Sequence, residues 1–212
     1  MSRLRRMRAY IDAPITHSMV AEMLPEYNRR NDKISELLRS RELIALRRGL
    51  YVHGYETDLP IPNLFLIANH LRGPSYISLE SALFYWNMIP EQVYEISSVT
   101  LKTPKTYTNI LGRFTYQHLA APYYAFGIES VRLTPQQTAL IASREKALCD
   151  KIILTSGILL RSIRQTQDFL LDDMRIDEES LRLLNVAIIR SWIEDAPKKS
   201  SLVMLVKTLE TL

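Results

Sequence analysis

The chain has 212 residues, of which 47% are hydrophobic and 24% charged, with a net charge of +4. This composition excludes a disordered chain, which would have fewer apolar residues and a larger net charge. The single Cys excludes a disulfide scaffold and a Cys-based zinc site, and it suits a reducing compartment, so we expect a cytoplasmic protein. No apolar run is longer than residues 64–68, whereas a membrane span needs about 20 residues, so no membrane partner is expected.

The positive charge is concentrated in the first quarter of the chain. Residues 1–54 contain 11 Lys and Arg against 6 Asp and Glu, an excess of +5. The remaining residues contain 16 against 17, which leaves them close to neutral. This asymmetry indicates a module that binds a polyanion, joined to a neutral one.

Residues 1–54 carry the pattern of a helix-turn-helix. A short N-terminal helical stretch is predicted to end in residues 12–16, and Thr16 is predicted to cap the next helix. Pro25 ends that helix, and Asn28 is predicted to cap a further helix from Arg29 to about Arg39. The apolar positions of the two helices recur at helical spacing; they are Met19, Val20, Met23 and Leu24, then Ile34, Leu37 and Leu38.

A basic hairpin follows the second helix. Residues 43–46 and 50–52 are short strand-like runs, with Arg47, Arg48 and Gly49 between them. Gly49 supplies the positive φ that a tight hairpin turn requires. Helix, turn, helix and basic hairpin together predict a winged helix-turn-helix over residues 1–54.

The predicted partner of this module is double-stranded DNA. A recognition helix presents its first residues to base edges in the major groove, where Arg pairs with guanine and Asn with adenine. The residues predicted at that end are Asn28, Arg29, Arg30, Asn31 and Lys33. Arg47 and Arg48 are predicted to contact phosphates or the minor groove, and the N-terminal residues Arg3, Arg5, Arg6 and Arg8 could add backbone contacts. The alternative is that these side chains form an ordinary solvated face.

The remainder is predicted to be a mixed α/β domain over residues 63–212, joined by a linker at 55–62, which makes the whole chain α+β. Helices are expected at 64–71, at 79–86 with Ser78 as the cap, and over 143–151, where a further helix opens. Strand-like runs lie between them, at 94–101, 106–110, 113–118, 128–133 and 138–142. From about residue 156 the chain is expected to be a helical tail, with helices at 159–171, 177–193 and 198–212. The predicted buried stripe of the second is Leu181, Leu184, Ile188 and Trp192, and that of the third is Leu202, Leu205, Val206 and Leu209.

Features of an enzyme are few. The 6 Gly residues form no phosphate-binding loop, and the four His residues are scattered. Cys149 is predicted to face the core or to be half-buried. An acidic cluster of Glu80, Glu145 and Asp150, with Lys151, could hold a metal, but a local Glu145–Lys146 pair and a turn anchored by Glu80 are favoured. No catalytic residue, cofactor or metal is expected.

Several runs of residues resemble one known family, the AbiEi-like antitoxins of the abortive-infection E systems. The similar runs are Leu43-Ile44 with Arg47-Arg48-Gly49-Leu50-Tyr51-Val52, residues 73–83, Ile89-Pro90-Glu91, Ser98-Val99-Thr100, residues 112–116, and residues 144–150. They span about residues 16–155 in order. The helical tail is not covered by comparable motifs.

The resemblance implies two functions. The N-terminal domain would repress its own operon by binding promoter repeats, as a transcriptional autorepressor. The second domain would act as the antitoxin of a type IV toxin–antitoxin system, countering a nucleotidyltransferase-like toxin directly or through its target. Two alternatives remain open. One is a one-component regulator whose second domain binds a ligand or dimerises, and the other is a metal-dependent nucleic-acid-processing enzyme.

Overall fold

Two β-sheets and the helices around them make up a mixed α+β fold, as the sequence predicts. The computed structural model describes residues 7–91 and 93–212. Three of the arginines predicted to contact the DNA backbone, Arg3, Arg5 and Arg6, lie outside the described residues. Arg8 is described and exposed.

The N-terminal unit, residues 7–54, is built on a three-stranded antiparallel sheet of strand order β1-β3-β2. In chain order its elements are β1 (Ile15–Thr16), α1 (His17–Glu22), α2 (Arg30–Arg39), β2 (Leu43–Arg47) and β3 (Leu50–His53). The predicted hairpin is confirmed, with Gly49 in the turn at φ 78°. Thr16 is the N-cap of α1, because its side chain accepts a hydrogen bond from the Met19 N–H.

Two predictions in the N-terminal unit are wrong. Ile15 and Thr16 form a strand that pairs with β3, although they were expected to close a helical stretch. The N-cap of α2 is Arg29 and not Asn28, and the Arg29 side chain makes no cap hydrogen bond. The first N–H groups of α2 therefore have no side-chain acceptor at the cap position.

The main sheet has six strands in the order β6-β7-β5-β4-β9-β8. Its strands are β4 (Ser75–Ile77), β5 (Glu95–Thr100), β6 (Lys105–Asn109), β7 (Gly112–His118), β8 (Ile128–Arg132) and β9 (Thr138–Ala142). β5 and β7, and likewise β4 and β9, are parallel, and the other neighbours are antiparallel. All five predicted strands are confirmed to within about a residue, but β4, in the middle of the sheet, was not predicted.

The helices of this second unit, residues 63–212, cover the main sheet and form the tail. They are α3 (Leu64–Leu71), α4 (Leu79–Tyr85), α5 (Arg144–Leu154), α6 (Ile163–Gln167), α7 (Glu178–Arg182), α8 (Val186–Trp192) and α9 (Lys199–Leu209). A π-helical segment, Asp168–Asp173, continues α6. The predicted helix at 177–193 is broken, because the Asn185 side chain caps a new helix by accepting from the Ile188 N–H. Ile188 is consequently exposed and not buried, whereas the predicted stripe of α9 is confirmed.

Both faces of the N-terminal sheet are covered. On one face, Leu43 and Tyr51 pack with the apolar side of α1 and α2 in a small core. The side chains on the other face belong to the large core of the main sheet; they are Ile44, Leu46, Leu50 and Val52. The hairpin is thus shared by the two units. None of the helices in the described part of the chain is long and apolar enough to cross a membrane.

Candidate nucleic-acid interface

The start of α2 presents an exposed polar surface. Asn28, Arg29, Arg30 and Asn31 are all exposed. Arg29 has an Asp32 carboxylate 3.5 Å away, but the two side chains are 87% and 71% exposed, so water screens the pair and leaves the guanidinium available to a stronger anion. No ion pair of Arg30 is found within the described residues.

Lys33 differs from its neighbours at this helix end. Only 12% of its side chain is exposed, and its ammonium group pairs with Glu36 one turn along α2. The same group lies 5.2 Å from the centre of the Tyr27 ring. Lys33 is therefore held against the helix, whereas the predicted role requires a group that reaches outward.

The two arginines of the hairpin also differ from each other. Arg48 is exposed at the turn. The Nε of Arg47 donates to the Leu71 carbonyl at 3.0 Å, and one of its terminal nitrogens donates to the Arg48 carbonyl. Arg47 thus ties the hairpin to the end of α3 in the second unit, and it has fewer donors left for another partner.

Two further cations surround the contact between Arg47 and α3. Arg72 donates to the Thr103 carbonyl, and Lys102 donates to the Gly73 carbonyl. Cations at a helix C-terminus offset the negative end of the helix dipole. These bonds anchor the chain around residues 71–73, directly beside the hairpin.

His17, which sequence reasoning missed, links the start of α2 to the hairpin. Its backbone N–H donates to the Gly49 carbonyl at 3.1 Å. Its ring Nε2 lies 3.0 Å from Asn31 Oδ1, and its Nδ1 lies 3.3 Å from the Tyr51 hydroxyl. One exposed histidine therefore fixes the recognition-helix candidate relative to the turn that carries Arg48. Nothing in the local sequence around His17 indicates such a link, because its partners Asn31 and Tyr51 lie 14 and 34 residues away.

The second unit contains a closed polar cluster, which we call the buried polar cluster: Tyr76, Ser78, Tyr123, Lys146 and Asp150. Lys146 and Asp150 are completely buried and their charged atoms are 3.0 Å apart. The Lys146 ammonium also donates to the Tyr123 carbonyl at 2.9 Å. The second oxygen of Asp150 accepts from the Tyr76 hydroxyl at 2.9 Å and the Ser78 hydroxyl at 2.7 Å.

Burial changes the proton affinity of every acid and base in this cluster. Desolvation raises the pKa of Asp150 and lowers the pKa of Lys146, and each partner's charge opposes the other's shift. Desolvation, with the nearby Asp150 charge, also keeps the pKa of the Tyr76 hydroxyl far above its ordinary value. The cluster connects β4 to α5 through hydrogen bonds that no substrate can reach, which is the arrangement of a structural element.

The same cluster explains a capping prediction that was wrong. Ser78 stands at the N-cap position of α4, but its side chain makes no cap hydrogen bond. Its hydroxyl is used by Asp150. The next residue, Leu79, has a φ of 54°, in the left-handed region that a leucine rarely adopts.

The acidic residues considered for a metal site lie apart. Glu80 forms a half-buried pair with Lys151, whereas Asp150 lies in the buried polar cluster. Glu145 accepts from the Ser143 hydroxyl and the Asn185 N–H. Among residues 7–91 and 93–212, no group of three or more His, Cys, Asp or Glu could hold a metal. The favoured local Glu145–Lys146 pair is also wrong, because Lys146 pairs with Asp150, and Cys149 is buried as predicted.

A groove of about 580 Å³ lies on the second unit beside the Glu80–Lys151 pair. Its charged lining is mainly acidic, with Glu91, Glu95 and Asp173 in addition. Arg175 pairs with Glu91 and Arg113 pairs with Glu95. The carboxylates of this groove are thus partly neutralised by neighbouring arginines.

No model of a known protein family matches the sequence, and no curated protein matches it significantly.

Proposed function

We propose that the N-terminal unit is a winged helix-turn-helix and that the protein is a DNA-binding transcriptional autorepressor. The observation that carries the proposal is the link through His17, which is bonded both to the start of α2 and to the turn of the β2–β3 hairpin. Arg29 and Arg30 are exposed at the first position, and Arg48 is exposed at the second. Such a pair of elements suits a duplex, with a helix in the major groove and a hairpin on the adjacent backbone.

The order of elements supports the same interpretation. A short strand, two helices and an antiparallel hairpin follow one another, and the short strand pairs with the hairpin. In this proposal α2 reads bases through Arg29, Arg30 and Asn31, and Arg48 contacts phosphate. Arg47 and Lys33 hold the surface in shape, because their charged groups are bonded within the chain.

Binding to the chain's own upstream DNA, measured across salt concentrations, tests this proposal. Replacing Arg29 and Arg30 together by Ala should weaken binding to the promoter and reduce its preference over unrelated DNA. The matched control is Arg161→Ala with Arg164→Ala, because both arginines are exposed on the helical tail. Equal loss in both double variants would contradict a site on α2.

For the second unit, we propose the antitoxin role that the family resemblance implies. Residues from two of the resembling runs, 73–83 and 144–150, meet in the buried polar cluster. This contact supports the interpretation that the runs resembling the antitoxin family serve to maintain the domain fold and not to carry out catalysis.

Co-expression with the neighbouring gene tests the antitoxin role in the full-length chain. A variant with Arg29, Arg30 and Arg48 replaced by Ala should lose repression of its promoter and still rescue growth from the toxin. If the wild-type chain does not rescue growth, the antitoxin role is wrong and a one-component regulator becomes the better explanation. If rescue is lost together with repression, the two roles do not reside in separate units.

A further inference from the structure

The hydrogen bonds of His17 form a directed chain from the inside of the N-terminal unit to its surface. The Tyr51 side chain is buried, whereas His17 and Asn31 are exposed. The two ring nitrogens of His17 contact one partner each, the Tyr51 hydroxyl and Asn31 Oδ1.

The chemistry of the two partners determines the tautomer of the ring. Asn31 Oδ1 can only accept a hydrogen bond, so Nε2 of His17 must carry the proton. Nδ1 of the neutral ring then has a free lone pair, and it accepts from the Tyr51 hydroxyl. All three side chains are thus held in one pattern of donors and acceptors.

Because its oxygen lies on Nε2 of His17, the Asn31 amide has its NH₂ group on the side away from the ring. Its oxygen is held by His17, and its NH₂ group makes no hydrogen bond within the described residues. Asn31 is the second residue of α2, on the exposed surface that carries Arg29 and Arg30. A base edge that approaches this surface therefore meets a donor first.

We propose that His17 is the positioning residue that sets the base preference of Asn31, by holding its amide with the NH₂ group outward. This inference rests on the proposed DNA-binding function. An outward donor favours base edges whose major-groove acceptors have no donor beside them, which are O6 and N7 of guanine and O4 of thymine, whereas adenine presents its one acceptor, N7, beside the N6 donor. It disfavours cytosine, whose edge there presents a donor. The paired recognition of adenine that is common for Asn needs the oxygen as well.

A base scan of the bound DNA tests the proposal. Each base pair of the site is changed in turn, and DNA affinity is measured for wild type and for Asn31→Ala. The position that Asn31 reads is the one at which wild type discriminates between bases and Asn31→Ala does not. The wild type should prefer guanine or thymine there. His17→Ala should flatten that preference by about tenfold while the protein stays folded. His17→Gln should keep it, because a glutamine amide can donate from nearly the same place as Nε2.

The outcomes separate this inference from the function on which it rests. A preference for adenine at the Asn31 position, or an unchanged preference in His17→Ala, overturns the role of His17 and leaves DNA binding intact. Uniform weakening on all sequences with a smaller salt slope makes His17 a phosphate contact and also overturns it. If the wild-type chain binds no DNA, the proposed function itself fails. His118→Ala, at another exposed histidine, is the matched control.

A second measurement needs no DNA. The ¹⁵N chemical shifts of the His17 ring in the free protein should show the tautomer with its proton on Nε2. Tyr51→Phe should reduce the population of that tautomer, because it removes the hydroxyl that donates to Nδ1. A proton found on Nδ1 in the wild type would mean that the Asn31 amide points the other way, and the proposal would be wrong.

Discussion

Arg48 and Lys146 carry the same charge in opposite surroundings. Arg48 is exposed at the tip of a hairpin, and no carboxylate within the described residues pairs with it. Lys146 is completely buried against Asp150 and the Tyr123 carbonyl. Arg48 is thus kept where an anion from outside can reach it, whereas Lys146 helps to join a strand to a helix. Residue type alone therefore does not indicate function, and the surroundings decide it.

The largest effect is expected from breaking the buried pair. Lys146→Met leaves the Asp150 carboxylate buried without its partner, which should lower the free energy of unfolding by about 3 to 5 kcal/mol. Chemical denaturation measures this loss. Lys207→Met is the matched control, since Lys207 is exposed on α9, and it should change little. Equal effects at the two positions would mean that the buried pair contributes no special stability.

A cavity in the shared face of the hairpin tests whether the two units are separable. Leu46→Ala should cost about 2 to 5 kcal/mol. Both tryptophans, Trp86 and Trp192, lie in the second unit, so their fluorescence reports its unfolding, while far-ultraviolet circular dichroism reports both units. The two signals should shift together in this variant. The comparison variant is Leu24→Ala, whose side chain lies in the small N-terminal core. If the unfolding transition seen by tryptophan fluorescence is the same in Leu46→Ala as in wild type, the two units do not share a core.

The two hairpin arginines should separate in a salt titration of DNA binding. Arg48→Ala should reduce the slope of log K against log salt concentration by about 0.9, the value of one lost phosphate contact on duplex DNA. Arg47→Ala should lower stability and change the slope less, because its Nε is bonded to Leu71. If Arg47→Ala gives the larger slope change, the assignment of these two residues is reversed.

The smallest effect is expected from His53, a buried polar residue on the N-terminal side. Burial lowers its pKa from the usual 6.5, although backbone groups of Tyr10 and Met7 oppose the shift. The folded state therefore favours the neutral ring, so this contribution to stability is present above the unfolded pKa and is lost as pH falls through about 6.5 and below. Melting temperature should fall over that range less steeply in His53→Phe than in wild type. Burial also lowers the pKa of His70, so wild type and His53→Phe both keep the pH dependence of stability that comes from His70. If the melting temperatures of wild type and His53→Phe depend on pH in the same way, His53 does not contribute to the loss of stability at low pH.

The sequence predicts elements well where the deciding signal is local. The main-sheet strands were found because turn residues separate short runs, and α9 was found because its apolar positions recur at helical spacing. β4 was missed because a strand of three residues is too short to show a period, and only neighbours distant in sequence make these residues a strand.

The caps show the same limit. Thr16 caps α1 as predicted, because within the described residues its hydroxyl contacts only local partners, the Met19 N–H and the Ser18 hydroxyl. Ser78 does not cap α4, since Asp150, 72 residues away in sequence, takes its hydroxyl. Within the candidate interface, the exposed α2 arginines could be selected from the sequence. The internal bonds of Arg47 and Lys33, and the link through His17, depend on folded neighbours that no local pattern reveals.

The shared hairpin has a practical consequence for dissecting the protein. The end of the predicted first domain falls at Gly54, where an added Cβ would lie 1.9 Å from the Arg41 carbonyl oxygen, so the backbone there is tightly packed. A fragment ending at that point would expose Ile44, Leu46, Leu50 and Val52 to water on one flat face. Aliphatic surface of this kind favours self-association. An excised N-terminal fragment is therefore expected to aggregate, and its failure to bind DNA would reflect insolubility and say nothing about the intact chain.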